Sequence, residues 1–461
     1  QSTEQYYELL ERIIISISTT YFIDEYTIDI GASIGVSISP LDGEQLDSLL
    51  RQADFSMYKA KQTGKNNFNF FDLAHSKEAA RRSMKLKEIR QAFANHEFCL
   101  YYQPKVHMAS GKLIGLEALI RWVHPEKGVI SPIQFLPIIE GSDLEVTVGN
   151  WVIEEGVLQL KKLNDLGIDI EISVNVSSMQ FLDASFYNNL KKALNRYPNI
   201  NANHFQLEVL ESSAIGNLEQ VTKIISACSE ELGVKIALDD FGTSYSSLSH
   251  LRQLPADTIK IDQSFVQDIL VDPNDYSIVS GVIGLTKSFN RSVIAEGVET
   301  TAHGLMLLLM GCENAQGYAI SKPMKACELV DWIQEYKPNQ SWTEFSPIEM
   351  PPQMKRVKQL ALILNHCFTN MKEYLQGSLE EKINVDKMGC HFGRWIRLLK
   401  QEQLFEESWI NQLNQSHEDL LQVVEELISN CIVSASRPTE RDLNKLDTLF
   451  EELQSLLGQY H

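Results

Sequence analysis

Ile236-Ala237-Leu238-Asp239-Asp240 is a short apolar run that ends on two carboxylates. The same pattern recurs on both sides of it. Leu116 leads into Glu117, Ile172-Ser173-Val174 into Asn175, and Phe205-Gln206-Leu207 into Glu208. Thr258-Ile259 leads into Lys260 and Val293-Ile294-Ala295 into Glu296, with Gln316 a seventh polar end. Longer stretches of amphipathic helical pattern lie between the runs. Strand, loop and helix in alternation predict βα units and a parallel sheet. Closed into a TIM-like (β/α)8 barrel, such strands point their C-terminal ends at one mouth, so polar residues repeated at that position converge. Carboxylates pressed together repel one another unless cations bind them. Helix N-capping would account for one or two of the acids, but not for Lys260, which is read as the only cation among the strand ends.

The chain has 461 residues, room for about three domains. A hydrophobic content of 44% supports large cores and excludes a disordered chain. No apolar run has the length of a membrane span, and the start carries no signal-peptide pattern. The net charge of −20 argues against DNA as a partner, which calls for a basic face. Seven cysteines without regular spacing suit a reducing, cytoplasmic setting rather than a disulfide framework. Composition divides the chain into an α/β segment (1–75), a helical connector (76–97), the barrel (98–336), a linker (337–352) and an all-helical bundle (353–461). The connector's Arg81, Arg82, Lys85 and Lys87 read as a solvated helix face. In the linker, Pro338, Pro347, Pro351 and Pro352 interrupt a stretch whose Trp342 and Phe345 can dock it. Apolar spacing predicts bundle helices over 355–375, 402–432 and 438–457.

The first segment reads helix (2–15), strand (27–30), strand (32–39), helix (44–62), strand (66–71). Gly31-Ala32-Ser33-Ile34-Gly35-Val36, then Leu49-Leu50-Arg51-Gln52-Ala53-Asp54, Met57-Tyr58-Lys59-Ala60-Lys61 and Gly64-Lys65-Asn66 follow in order. The segment resembles the C-terminal half of a GGDEF domain, the diguanylate cyclase family. The Gly-Gly-acidic-Glu-Phe signature is not in the sequence, which implies a fragment of a longer protein and no cyclase chemistry.

The central region carries Tyr102-Gln103-Pro104-Lys105, Glu117-Ala118-Leu119-Ile120-Arg121-Trp122, Val174-Asn175-Val176-Ser177, Leu207-Glu208 with Glu211, and Asp239-Asp240-Phe241-Gly242-Thr243. Lys260-Ile261-Asp262, Ala295-Glu296-Gly297-Val298-Glu299 and Gln316-Gly317-Tyr318 complete the order. It resembles the EAL domain family, phosphodiesterases that open cyclic di-GMP to linear pGpG, over residues 80–336. The resemblance implies two Mg2+ or Mn2+ ions, with Glu117, Asn175, Glu208 and Asp239 on the first, and Asp239 bridging to a second supported by Asp240. It also implies Lys260 at the attacking water, Glu296 as acid, base or outer ligand, and Gln103, Leu119, Arg121 and Gln316 around the dinucleotide. Glu211 and Glu299 would anchor the loop after Asp240, where Ser244 stands in place of the usual glycine. Every residue the family's catalysis needs is present. The resemblance therefore implies hydrolysis, with a non-catalytic cyclic di-GMP receptor as the alternative and a homodimer as the assembly.

In the bundle, His366, the Cys390-His391-Phe392-Gly393-Arg394-Trp395 segment and His417 resemble the chemoreceptor zinc-binding (CZB) domain. Carried over, His366, Cys390 and His417 bind zinc, and Leu421 stands where a fourth ligand, a histidine, is usual. Water, His391 or Glu418 could complete the site. The implied role is a zinc or redox switch acting on the barrel. The plain alternative is a bundle in which the two histidines and the thiol only pack.

Overall fold

The structure is a computed structural model that describes residues 3–24, 26–71, 73–214, 218–242, 252–345, 350–377, 390–434 and 437–459. Its chain forms two compact units, residues 1–95 and 96–461.

In the first unit, helix Thr3–Ile17 precedes a hairpin of Tyr21–Ile23 with Tyr26–Ile28. Strand Ile34–Val36 pairs in parallel with Phe68–Phe70, and helix Leu46–Gln62 connects them. Gly35 is needed there: a Cβ on it would lie 1.8 Å from the Ala53 carbonyl oxygen, so only glycine lets helix and strand approach so closely. The rings of Phe68 and Phe70 pack on Tyr7.

The second unit is built on a closed eight-stranded barrel: β1 Phe98–His107, β2 Lys112–His124, β3 Glu171–Val176, β4 Phe205–Leu210, β5 Lys235–Phe241, β6 Thr258–Ile261, β7 Ser292–Ala295 and β8 Asn314–Gln316. Neighbours β2 to β8 run parallel, and β1 closes the barrel antiparallel to both β2 and β8. The parallel sheet read from the sequence therefore has one reversed member. The cause is local. A short hairpin joins His107 to Lys112 through Gly111 at φ 68°, and a turn that short can join only antiparallel strands.

Strands buried on both faces read as apolar runs, because helices cover the outside. The longest such helix, α1 Asp143–Asp165, turns Leu144, Val148, Val152, Val157, Leu160 and Leu163 inward at helical spacing. Asp143 and Glu145 in its first turn complement the helix dipole. Gly156 lets α1 sit against the sheet, since a Cβ there would lie 2.8 Å from Val174 Cγ1.

Among the described residues the bundle has four helices: α4 Pro352–Leu375, α5 His391–Glu402, α6 Glu407–Ser434 and α7 Glu440–Gly458. The single helix read over 402–432 is thus preceded by α5, which ends where Gln403 takes a left-handed φ of 53°. The bundle packs on barrel helices α2 Pro273–Ser288 and α3 Thr301–Met310. On α2, Tyr276 Oη donates to Gln359 Oε1 at 3.0 Å, and its ring meets Trp395 edge-on at 5.0 Å. The Arg356 guanidinium lies 5.0 Å from the Tyr276 ring and 5.3 Å from the Trp395 ring, and pairs with Glu402. Arg394 Nη1 lies 3.7 Å from Asp272 Oδ2. The linker is pinned by Trp342, which is 2% exposed and donates from Nε1 to the Thr301 carbonyl at 2.9 Å.

Candidate functional site

Alternation in a strand sends every second side chain into the barrel. On β2 and β3 these include Glu117 and Asn175, on β4 and β5 Glu208 and Asp239, and on β6 Lys260. Register sets their level: Asn175 pairs with Glu208 across β3–β4, and Gln103 with Glu117 across β1–β2. Glu296 follows β7 directly, and Gln316 ends β8.

The Lys260 ammonium lies at the centre and is 1% exposed. It contacts Glu208 Oε2 at 2.5 Å, Glu296 Oε1 at 2.6 Å and Asp239 Oδ1 at 2.9 Å, with Glu117 Oε2 at 3.8 Å. Asn175 Nδ2 donates to Glu117 Oε1 at 2.7 Å, and Gln316 Nε2 donates to Glu117 Oε2 at 2.5 Å. Gln316 Nε2 also reaches Gln103 Oε1 at 3.0 Å, and Gln103 Nε2 donates to the Ser321 carbonyl at 3.1 Å.

The cluster has a second cation that sequence reading passed over. Lys105, on the reversed strand, lies 2.7 Å from Glu208 Oε1 and is 3% exposed. Lys260 is therefore not the only ammonium inside. The sequence shows only that this lysine stands two residues from Gln103, hence on the same strand face, and not the level it occupies.

Two ammonium groups face four carboxylates, Glu117, Glu208, Asp239 and Glu296, so negative charge is in excess. Proton affinities show it. Burial, reinforced by the Glu208 charge, raises Glu117, and burial with the Asp239 charge raises Glu296 well above the usual carboxylate range. Glu208 moves the other way: Lys105 and Lys260 outweigh its burial and hold it ionised. Lys260 is itself pushed well above an ordinary lysine, the surrounding carboxylates overcoming its burial.

Asp240 adds to the rim. Its backbone is left-handed at φ 54°, and burial, Asp239 and a hydrogen bond with Asp262 raise its carboxyl to about 6. Asp262, which sequence reading gave no role, also caps the next helix turn through Ser264 N. Carboxylate oxygens of Asp239, Asp240 and Glu296 lie within 4.8 Å of one another, the one such trio of possible metal ligands among the described residues. Hard oxygen donors with excess charge fit Mg2+ or Mn2+.

The outlying residues are less concentrated. Arg121 Nη1 donates to the Ile120 carbonyl at 2.9 Å and the guanidinium lies 5.6 Å from the Tyr101 ring. Leu119 is half-buried on β2. Glu211 Oε2 accepts from Gly242 N at 3.1 Å, whereas Glu299 is exposed and accepts from Gln267 Nε2 at 3.3 Å. Ser244 and the rest of the loop 243–251 lie outside the described residues.

In the bundle, Cys390 Sγ lies 3.3 Å from His417 Nε2, with both residues at most 2% exposed. Cys390 also caps α5, accepting from Gly393 N at 3.2 Å. Burial lowers His417 to about 4 and lowers His366 as well. His366 Nε2 meets Asn370 Nδ2 at 3.2 Å, and the three residues do not bring their ligand atoms within 4.8 Å of one another. Leu421 is buried, His391 Nδ1 is buried without a hydrogen-bond partner, and Glu418 Oε1 accepts from Asn414.

Comparison with known proteins places this architecture. The diguanylate cyclase, GGDEF domain model matches residues 1–67. The bifunctional diguanylate cyclase/cyclic di-GMP phosphodiesterase MucR of Pseudomonas aeruginosa is 39% identical over 323 residues, 70% of this chain and 47% of MucR. The cyclic di-GMP phosphodiesterase PdeR of Escherichia coli is 35% identical over 328 residues, 71% of this chain and 49% of PdeR. The chain thus spans about half the length of these relatives. A solved structure of the PaMucR phosphodiesterase in complex with c-di-GMP superposes with a TM-score of 0.52 at 40% identity, covering 53% of this chain and 99% of that one. The EAL enzyme Bd1971, solved with cAMP and cyclic di-GMP bound, gives a TM-score of 0.55 at 31% identity over 63% of this chain and 76% of that one. The EAL domain model matches residues 86–323, more than half of the chain, and the chain belongs to the EAL domain family.

Proposed function

We propose that this chain hydrolyses cyclic di-GMP to linear pGpG at the barrel mouth, using divalent metal ions. The observation that carries the reading is the excess of carboxylates around Lys260 at the strand ends. It is supported by relatives named as cyclic di-GMP phosphodiesterases and by a related structure in complex with c-di-GMP.

Glu117, Asn175, Glu208, Asp239 and Asp240 are the residues that would hold two Mg2+ or Mn2+ ions. When bound, such ions activate water and neutralise charge on the phosphoryl oxygens. The chain's own groups divide the remaining work. Lys260 binds its proton more tightly than an exposed lysine, so it stays an ammonium. In this reading it orients water and stabilises the negative charge that builds on the phosphoryl oxygens. Glu296 is the complementary group: burial and the Asp239 charge make its carboxylate a stronger base than an exposed glutamate. Lying 2.6 Å from the Lys260 ammonium, it is placed to act as general acid or base at the attacking water. Gln316 fixes the Glu117 carboxylate and is itself tied to Gln103.

We further propose that His366, Cys390 and His417 hold Zn2+ and that zinc or thiol state tunes the barrel. A thiolate and two imidazoles suit zinc, and the close Cys390–His417 pair supports the reading.

The test is hydrolysis of cyclic di-GMP by the purified chain with Mg2+ or Mn2+, with and without a zinc-selective chelator. Linear product formed only with the metal supports the proposal; retention of bound dinucleotide without product would refute it. Turnover unchanged by chelation would refute the regulatory part. Glu117→Ala should abolish turnover, and activity retained in that variant would remove Glu117 from the ligand set.

A further inference from the structure

A second polar layer lies inside the barrel, one step below the proposed metal ligands. Ser173 stands two residues before Asn175, Gln206 two before Glu208, and Thr258 two before Lys260. Two-residue spacing puts each on the inner face of its strand, one level lower. On the reversed strand the order is inverted, and the residue one level below Gln103 is Lys105, two residues after it. These side chains meet. Lys105 Nζ donates to Ser173 Oγ at 2.6 Å, to Gln206 Oε1 at 3.3 Å and to Glu208 Oε1 at 2.7 Å. Gln206 Nε2 in turn donates to Thr258 Oγ1 at 3.3 Å. Lys105, Ser173 and Gln206 are each at most 3% exposed.

Each of the ammonium's three protons thus has an acceptor, and the fixed lysine is a rigid support from below. A buried ammonium is stable only when paired and hydrogen-bonded. Its anionic partner is Glu208, a carboxylate with two oxygens in different service. Oε1 is bound to Lys105, whereas Oε2 meets the Lys260 ammonium at 2.5 Å. The first contact fixes the carboxylate's rotation and leaves the second oxygen presented to the site.

We infer that Lys105 is a positioning residue: by holding Oε1 of Glu208 it aims Oε2 at the divalent cation of the barrel mouth. The inference rests on the metal-dependent reading of the site. Charge and orientation make opposite forecasts. Removing a nearby positive charge alone would tighten binding of a cation, whereas losing the grip on Glu208 would weaken it.

The experiment is Mn2+ binding to the full chain, followed by electron paramagnetic resonance without nucleotide, for wild type and Lys105→Met. Methionine keeps an unbranched stem and deletes the ammonium. Mn2+ affinity should fall about 10- to 100-fold, the usual effect of removing a hydrogen-bond partner of a metal ligand. With cyclic di-GMP, kcat should fall by a similar factor while KM changes less than about threefold, the signature of a group that does not bind substrate. Unchanged or tighter Mn2+ binding would overturn the inference. If Lys105→Met does not fold, the double variant Ser173→Ala, Gln206→Met serves. It keeps every charge and removes the lysine's neutral anchors, so Mn2+ affinity should still drop, and an unchanged affinity would overturn the proposal. The Mn2+ measurement needs no turnover. A wild-type chain that binds Mn2+ but does not hydrolyse the dinucleotide would therefore refute the proposed activity and leave the role of Lys105 to be decided by its own result.

Discussion

Lys260 shows how far a single residue can be read. Its place at a strand end was legible from Thr258-Ile259-Lys260, and so were the carboxylates that surround it, because each closes an apolar run. Lys105 was not legible. It lies within a strand, and only closure of the barrel by a reversed strand decides which level it occupies. Lys260→Met should lower kcat by about 10²- to 10³-fold, the loss typical of one preorganised electrostatic partner, while dinucleotide binding measured by calorimetry stays close to wild type. A parallel loss of binding would move Lys260 from the reaction to recognition. His303 gives a stability forecast. It is 5% exposed, and burial together with the neighbouring His366 lowers it from 6.5 to about 4. The unfolded chain therefore takes up a proton as pH falls below 6.5, and the folded chain does so only near 4. The stabilisation is complete above pH 6.5 and is lost on the way down to 4, about 2 kcal/mol of it by pH 5. Urea midpoints at pH 7.5 and 5 should differ by less in His303→Gln than in wild type; an equal difference would assign the acid sensitivity elsewhere.

Among the elements, helices and strands with a clear period were the easy part. The strand ends of β3 to β7 and the helix of the first unit at Leu46–Gln62 fall where apolar spacing put them, within a few residues. The hairpin β1–β2 was harder, because direction is set by a turn rather than by periodicity. Packing faces were harder still. Helix α3 carries Gly304 where a Cβ would lie 2.4 Å from the Trp342 ring, and nothing local in the sequence announces that the linker docks there. Gly304→Ala should displace the indole and cost about 1–3 kcal/mol, as overpacking does. A red-shifted tryptophan emission with a lowered urea midpoint would bear this out; an unchanged spectrum would place the tolerance in the linker.

For the whole molecule, the strand-end pattern foretold a barrel and the apolar spacing a helical bundle, but neither foretold the contact between them. That contact is long-range: Tyr276 against Arg356, Gln359 and Trp395, and Asp272 near Arg394. No periodicity in either partner encodes it. Because barrel and bundle share one compact unit, they should melt in a single calorimetric transition. Arg356→Met with Tyr276→Ala should split that peak in two, and a single peak in the double variant would mean that the other contacts of α2 and α3 with the bundle couple the two. The seam also has a consequence in the language of linkage. If barrel and bundle unfold together, any ligand that binds only the folded bundle stabilises the barrel by the same free energy, about 2.7 kcal/mol at a hundredfold excess over its Kd. Occupancy of one end of the unit would then set the lifetime of the other, even where no side chain near Lys260 moves.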